Sequence, residues 1–281
     1  MEGNDRRIVL GSKKGFTLVE LLVVIAIIAL LMSILMPALS RVRKQAKGVL
    51  CQTNLKGLGV CWSMYLGDND DYFPYGWQET STEHPRVDCQ DQWTAALKVY
   101  YLDMDLLMCP TTTKLTSDIG LGPWGGGGTF VGWGEFAEEW NPPMEPGVYG
   151  SYGLNGYAYN PPGDVSVIEE HPTSNNWRQG DVKAAGIIPL MCDNQWIDHW
   201  PHYTDEPPPW DGYEWGNNDY NGSIRICLNR HEGCINAVYL DFSVRPIGLK
   251  SIWREKWHRT YDLQCDLPDW PEWMKNFAEP E

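Results

Sequence analysis

The chain has 281 residues, a formal net charge of −15 and a composition that is 43% hydrophobic and 12% aromatic. An acidic balance of that size repels polyphosphates, which excludes nucleic acid as a partner of the surface as a whole and favours solubility and cation binding. Eight cysteines are present, at Cys51, Cys61, Cys89, Cys109, Cys192, Cys227, Cys234 and Cys265. No two of them form a Cys-x-x-Cys pair, so thioredoxin and zinc-ribbon spacings are absent. The P-loop, Gly-x-Ser-x-Gly and His-Glu-x-x-His patterns are absent too, and the chain is read as something other than an enzyme.

In chain order, residues 1–15 form a short basic leader with Arg6, Arg7, Lys13 and Lys14. From Phe16 to Leu39 every residue is apolar or small except Thr17, Glu20 and Ser33. As a helix this run is about 35 Å long at ~1.5 Å per residue, enough for a ~30 Å hydrocarbon core. A secretory signal has a shorter apolar region of ~7–15 residues and a small-residue cleavage site. Here the run is longer and continues into Ser40-Arg41-Val42-Arg43-Lys44. An acidic side chain at a membrane helix centre costs roughly 2.5–3.5 kcal/mol, so Glu20 is read as functional and paired; the plainer alternative is a signal anchor that tolerates a Glu near its end.

The helical pattern continues past Pro37. Leu39, Val42, Ala46 and Val49 are followed by Cys51, Leu55, Leu58, Trp62 and Tyr65 at three- and four-residue steps, which predicts one helix from Phe16 to Leu66. Residues 40–66 form its amphipathic half, whose apolar stripe rests on a distal domain spanning 67–281. Gly67-Asp68-Asn69-Asp70-Asp71 ends the helix. Residues 117–163 and 198–222 are rich in Gly, Pro, Trp and Asp and read as long loops. Ile187–Cys192 reads as a strand that Pro189 demotes towards an edge. Ser223–Leu228 and Cys234–Leu240 read as strands around a turn at Asn229–Gly233, and Ser243–Ile247 as another. Ser251–His258 reads as a short helix.

Gly15, Phe16, Thr17, Leu18 and Glu20, after a basic leader and before an unbroken apolar helix, resemble the signal of type IV prepilins and type II secretion pseudopilins. The resemblance implies a pilin-like α+β fold: a long amino-terminal helix packed on a small antiparallel sheet with long loops. It implies that prepilin peptidase cuts between Gly15 and Phe16 and methylates the new terminus of Phe16. It further implies that Glu20 pairs with the terminal amine of a neighbouring subunit, which makes other pilin or pseudopilin subunits the partners. Lys and Arg flank both ends of the apolar run, with Arg41, Arg43, Lys44, Lys47 and Lys56 on the distal side, so the positive-inside rule does not orient the chain. The resemblance does: it anchors the chain in the inner membrane by a single pass, with 67–281 outside the cytoplasm. Cys51-Gln52-Thr53-Asn54-Leu55-Lys56-Gly57, Cys109-Pro110 and Ser151-Tyr152-Gly153-Leu154-Asn155 resemble a pseudopilin-like group of planctomycete-type bacteria, which implies a short helix from Trp93 to Tyr101. His231, nine residues and then Asp241 resemble that group's carboxy-terminal His-x9-Asp-Gly signature. Phe242 stands where its glycine is expected, which puts the turn at Asp241 in question, since a side chain is costly at positive φ.

The candidate sites outside the helix are weaker. Asp68, Asp70 and Asp71 offer oxygen ligands for calcium, or simply end the helix. Asp193, His199 and His202 form a second possible metal set. A metal-dependent enzyme would need His231, Asp193 and Asp241 to converge. Cys227 and Cys234, on either side of a turn, are the most local disulfide candidates. The chain holds 15 Trp, many of them in polar loops: Trp124, Trp133, Trp140, Trp177, Trp196, Trp200, Trp210 and Trp215. Exposed, they would suit stacking on sugar rings and give the alternative of a membrane-tethered polysaccharide-binding protein. The preferred reading is that they pack the loops onto the domain.

Overall fold

The computed structural model describes residues 16–76, 92–123, 125–136, 146–168, 170–213 and 221–280. The leader with Gly15, Cys89, Trp124, Trp140 and Trp215 lie outside the described residues. The chain divides into two units, Met1–Gln45 and Ala46–Glu281.

Helix α1 runs from Leu18 to Asp68 with Pro37 inside it. The described residues of the first unit, from Phe16 to Gln45, are exposed throughout. Among the described residues, α1 is the one helix long and apolar enough to cross a membrane. Its later turns behave differently. Cys51, Leu55, Leu58, Trp62 and Leu66, spaced by three or four residues, are buried. Leu39, Val42 and Val49, read from periodicity as the start of the same stripe, are exposed. The sheet partners of the stripe (Asp193, Asn236 and Met191) are met only from Cys51 onward.

The second unit contains strands β1 (Lys114–Leu115), β2 (Val131–Gly134), β3 (Tyr149–Gly150), β4 (Tyr152–Asn155), β5 (Val167–Ile168), β6 (His171–Pro172), β7 (Pro189–Asp193), β8 (Asp198–His199), β9 (Cys234–Tyr239) and β10 (Val244–Gly248). Five of them form the main sheet in the order β10-β9-β7-β4-β8. Its pairs are antiparallel except β4–β8, which is parallel. The fold is thus α+β and pilin-like, with a mixed sheet. Strand alternation separates two faces. Met191 accepts a hydrogen bond from Trp62 Nε1 at 3.0 Å, and Asn236 accepts one from Gln52 Nε2 at 2.9 Å, so one face lies under α1. A Cβ added at Gly59 would lie 3.0 Å from Val238 Cγ2, which explains a helix-weakening glycine where helix and sheet approach closely. On the opposite face Asn155 Nδ2 donates to Trp257 O at 2.8 Å, and His199 meets the Trp257 ring edge-on with centroids 5.2 Å apart. With both faces covered, β4 and β7 are buried along their whole length.

Several local expectations change. Pro189 does not push its strand to an edge: β7 lies centrally between β9 and β4. The proline occupies the first strand position, where its missing N–H is tolerated, and the register shifts just after it. Ser223–Leu228 is not a strand but contains a 3-10 turn at Gly222–Arg225. The carboxylate of Asp205 and the amide oxygen of Asn221 both accept from Ser223 N, at 3.0 and 3.1 Å, and hold that turn. The helix expected over Trp93–Tyr101 is the single turn α2 (Trp93–Ala96), and that over Ser251–His258 is a 3-10 stretch at Leu249–Arg254. The Asp241 turn does form, with Phe242 at φ 60°. Asp241 Oδ1 accepts from Ser243 N at 2.9 Å and Ser243 Oγ at 2.6 Å, which offsets the strain at Phe242.

Candidate functional site

At the start of α1, Thr17 and Glu20 bond reciprocally. Glu20 Oε2 accepts from Thr17 N at 2.8 Å and Thr17 Oγ1 at 2.7 Å, while Glu20 N donates to Thr17 Oγ1 at 3.2 Å. This is a capping box, satisfying donors that the first helical turn leaves open. The Thr-x-x-Glu spacing that announces it stands in the sequence and passes unnoticed when Glu20 is considered only as a membrane charge. A carboxylate has about four acceptor positions, so the box leaves capacity for another donor. Phe16 is 71% exposed, and the apolar side chains that follow are exposed as well.

In the second unit the residues that carry chemistry converge under α1. Asp193 ends β7 fully buried. It accepts from Asn236 N at 2.8 Å and from Arg230 Nη1 at 3.4 Å, and His231 Nε2 lies 3.2 Å from its Oδ2. Arg230 is buried and directs its other N–H groups at four backbone carbonyls: Thr129 at 2.7 Å, Ser151 at 2.6 Å, Val131 at 3.0 Å and Asn194 at 2.8 Å. All five guanidinium donors are thereby used. Cys51, from α1, places Sγ 3.7 Å from each Asp193 oxygen. Cys109 Sγ lies 3.4 Å from His231 Nε2 and 2.8 Å from Thr111 Oγ1. Tyr152 OH is 3.3 Å from Cys51 Sγ.

The electrostatics follow from this packing. Burial alone would raise the Asp193 pKa, but the hydrogen bond and charge of His231, the Arg230 charge and the Asn236 N–H hold it below its ordinary value. Burial would lower His231, yet Asp193 and Cys109 push it up to about 10. Burial opposes ionisation of Cys109, while Cys51, His231 and Arg230 bring it down to about 6. Cys51 is raised well above the usual thiol value, chiefly by burial.

The other expected groupings do not come together. On β7, Asp193 and Cys192 point to opposite faces. His199 lies on the Cys192 side, with Nε2 3.7 Å from that thiol and Nδ1 2.7 Å from Asn194 Nδ2. His202 Nδ1 contacts Thr204 Oγ1 at 2.7 Å. Alternation therefore separates Asp193 from His199, while His202, past the end of β8, stacks on His258 with ring centroids 5.4 Å apart. Asp241 serves its own turn, not the His231 cluster. Asp68 accepts from Tyr100 OH at 2.9 Å and Asp71 from Asp181 N at 2.7 Å, with Asp70 and Asp71 at φ 52° and 66° closing the end of α1. Cys227 and Cys234 are free thiols. Trp133, Trp196 and Trp200 are buried and Trp177 packs against the core. Of the eight loop tryptophans singled out, Trp210 is the exposed one among those described, at 58%. Loops this poor in strands need large side chains to fill the space beside the sheet, so indoles that read as ligand platforms serve as core.

A membrane-length amino-terminal helix with an acidic residue in its first turn, continuing into an α+β unit, is consistent with a type IV pilin-like protein. Comparison with known proteins agrees: the family described as the prokaryotic N-terminal methylation motif matches residues 10–36. The type IV wide pilus major component of Thermus thermophilus is 46% identical over 61 residues, which cover 22% of this chain and 47% of that protein. The chain thus spans about half the length of that relative. No solved structure matches the chain.

Proposed function

We propose that the chain is a structural subunit of a type IV pilus-like or type II secretion filament. In this reading prepilin peptidase cuts between Gly15 and Phe16, Phe16 becomes N-methylated, and the helix inserts in the inner membrane with the distal unit on the extracytoplasmic side. The observation that carries it is the conjunction of the methylation motif at residues 10–36 with an apolar helix whose side chains are exposed from Phe16 onward. An exposed helix that is apolar but for Glu20 and Ser33 needs lipid before assembly and neighbouring helices after it. Glu20 then serves twice, capping its own helix through Thr17 and receiving the amine of a neighbouring subunit. A buried carboxylate and a buried ammonium, each costly alone, are tolerable together.

Glu20→Val tests this reading. The variant is expected to reach the membrane at wild-type level, to be processed, and to be missing from filaments sheared off the cell. Equal incorporation of wild type and variant would remove the assembly role of Glu20. Absence of the wild type itself from every filament fraction would remove the filament role.

A further inference from the structure

We propose that Cys51, Cys109, Asp193 and His231 form a structural site for one tetrahedrally coordinated divalent metal ion of zinc's chemistry. The four ligand atoms all lie within 4.8 Å of one another. Zinc bonds of ~2.3 Å to sulfur and ~2.0–2.1 Å to nitrogen or oxygen require ligand–ligand edges of roughly 3.3–3.8 Å in a tetrahedron. Three of the six edges are 3.7 Å for Cys51–Asp193, 3.4 Å for Cys109–His231 and 3.2 Å for His231–Asp193, and every edge is within 4.8 Å. The donor set is what zinc selects: two soft thiolates, an imidazole and one carboxylate.

Charge supports the assignment. Two thiolates and a carboxylate against a divalent ion leave one negative charge, which Arg230, fixed 3.4 Å from Asp193 Oδ1, cancels. A neutral total suits a site whose Cys51, Cys109 and Asp193 are buried. A surrounding set of donors faces the ligand atoms from outside: Tyr152 OH at 3.3 Å from Cys51 Sγ, Thr111 Oγ1 at 2.8 Å from Cys109 Sγ, and Asn236 N at 2.8 Å from Asp193 Oδ2. Such donors orient ligands and tune their basicity. Four protein ligands fill the tetrahedron, so the site is closed and structural. It ties the amphipathic part of α1 to the Cys109-Pro110 turn, the end of β7 and the turn before β9.

The test uses the full chain in detergent. Purified under reducing conditions, it should carry one equivalent of zinc by elemental analysis. After chelation, Co2+ should restore one equivalent and give the intense visible bands of tetrahedral cobalt with a thiolate-to-cobalt charge-transfer band. Cys109→Ser and His231→Gln should lose both features, while Cys265→Ser keeps them. Tyr152→Phe, which removes only a hydroxyl beside Cys51, should fold normally and weaken Zn2+ binding about tenfold. Folded wild-type protein, verified by circular dichroism, that takes up neither Zn2+ nor Co2+ would overturn the proposal. So would a Cys51–Cys109 disulfide recovered by mass spectrometry from metal-free protein as isolated from cells.

Discussion

Arg230 ties distant segments of the second unit to one another through hydrogen bonds. Its guanidinium reaches Thr129 and Val131 around the start of β2, Ser151 and Asn194 beside the main sheet, and Asp193 at the end of β7. Removing one partner of a buried charge pair costs about 3–5 kcal/mol, so Arg230→Met should lower unfolding free energy by that much in urea melts of the detergent-solubilised chain. Arg230→Lys should recover little of the loss, since an ammonium has three donors and no planar fork. Two inward-packed histidines, His171 and the buried His258, give a second prediction at this scale. Burial first, then Arg225 and His202, lower His171 to about 4, and burial with His202, Lys256 and His171 lowers His258 to about 3. Both are neutral in the fold and protonate first in the unfolded chain, whose histidines titrate near 6.5. Their contribution to stability is complete above pH 6.5 and is lost as pH falls towards 4 and then 3. Urea midpoints should drop between pH 7 and 5, and His171→Gln should flatten that drop. At this scale little was legible beforehand. Thr17 and Glu20 spell their capping box in adjacent sequence, but Arg230 shows its role only through carbonyls far away in the chain. The same holds for Cys51 and Cys109, whose common site is assembled from distant segments and matches no local spacing.

Among the elements, α1 shows how one helix meets two environments. Apart from Glu20 and Ser33 its early turns are apolar all round, and its later turns bury one stripe against β7 and β9. Glycines mark the difference between packed and open faces. Gly59 sits where an added Cβ would come within 3.0 Å of Val238 Cγ2, whereas nothing lies within 4 Å of a Cβ at Gly67. Gly59→Leu should therefore overpack the helix–sheet interface and cost about 1–3 kcal/mol. Gly67→Ala should be neutral or stabilising by about 0.5 kcal/mol, through helix propensity alone. Thermal melts of the two variants side by side check both signs. The helix was legible because three- and four-residue steps run unbroken from Cys51 to Trp62. The β9–β10 hairpin was legible because turn residues bracket its strands. Gly222–Arg225 was not, because apolar residues in that stretch imitate a strand while Asp205, distant in sequence, supplies the acceptor that bends it. Pro189 misled for a related reason: edge placement is only one way to tolerate a proline, and the first position of a central strand is another.

For the whole molecule, the division of labour follows composition. The first unit is an apolar helix with exposed side chains, suited to lipid and to other copies of itself. The second is an acidic α+β unit with aromatic-filled loops and a buried polar cluster under α1. The pattern of the first unit lies in consecutive residues and could be read at once, whereas the second depends on residues brought together only by folding. In the function proposed above, the first unit is a processed, assembly-competent helix. Mass spectrometry of the amino terminus of the protein recovered from the membrane tests it most directly. The expected result is a chain that begins at N-methylated Phe16, with the leader ending at Gly15 removed. A mature chain that retains the leader, or begins at any other residue, would contradict it.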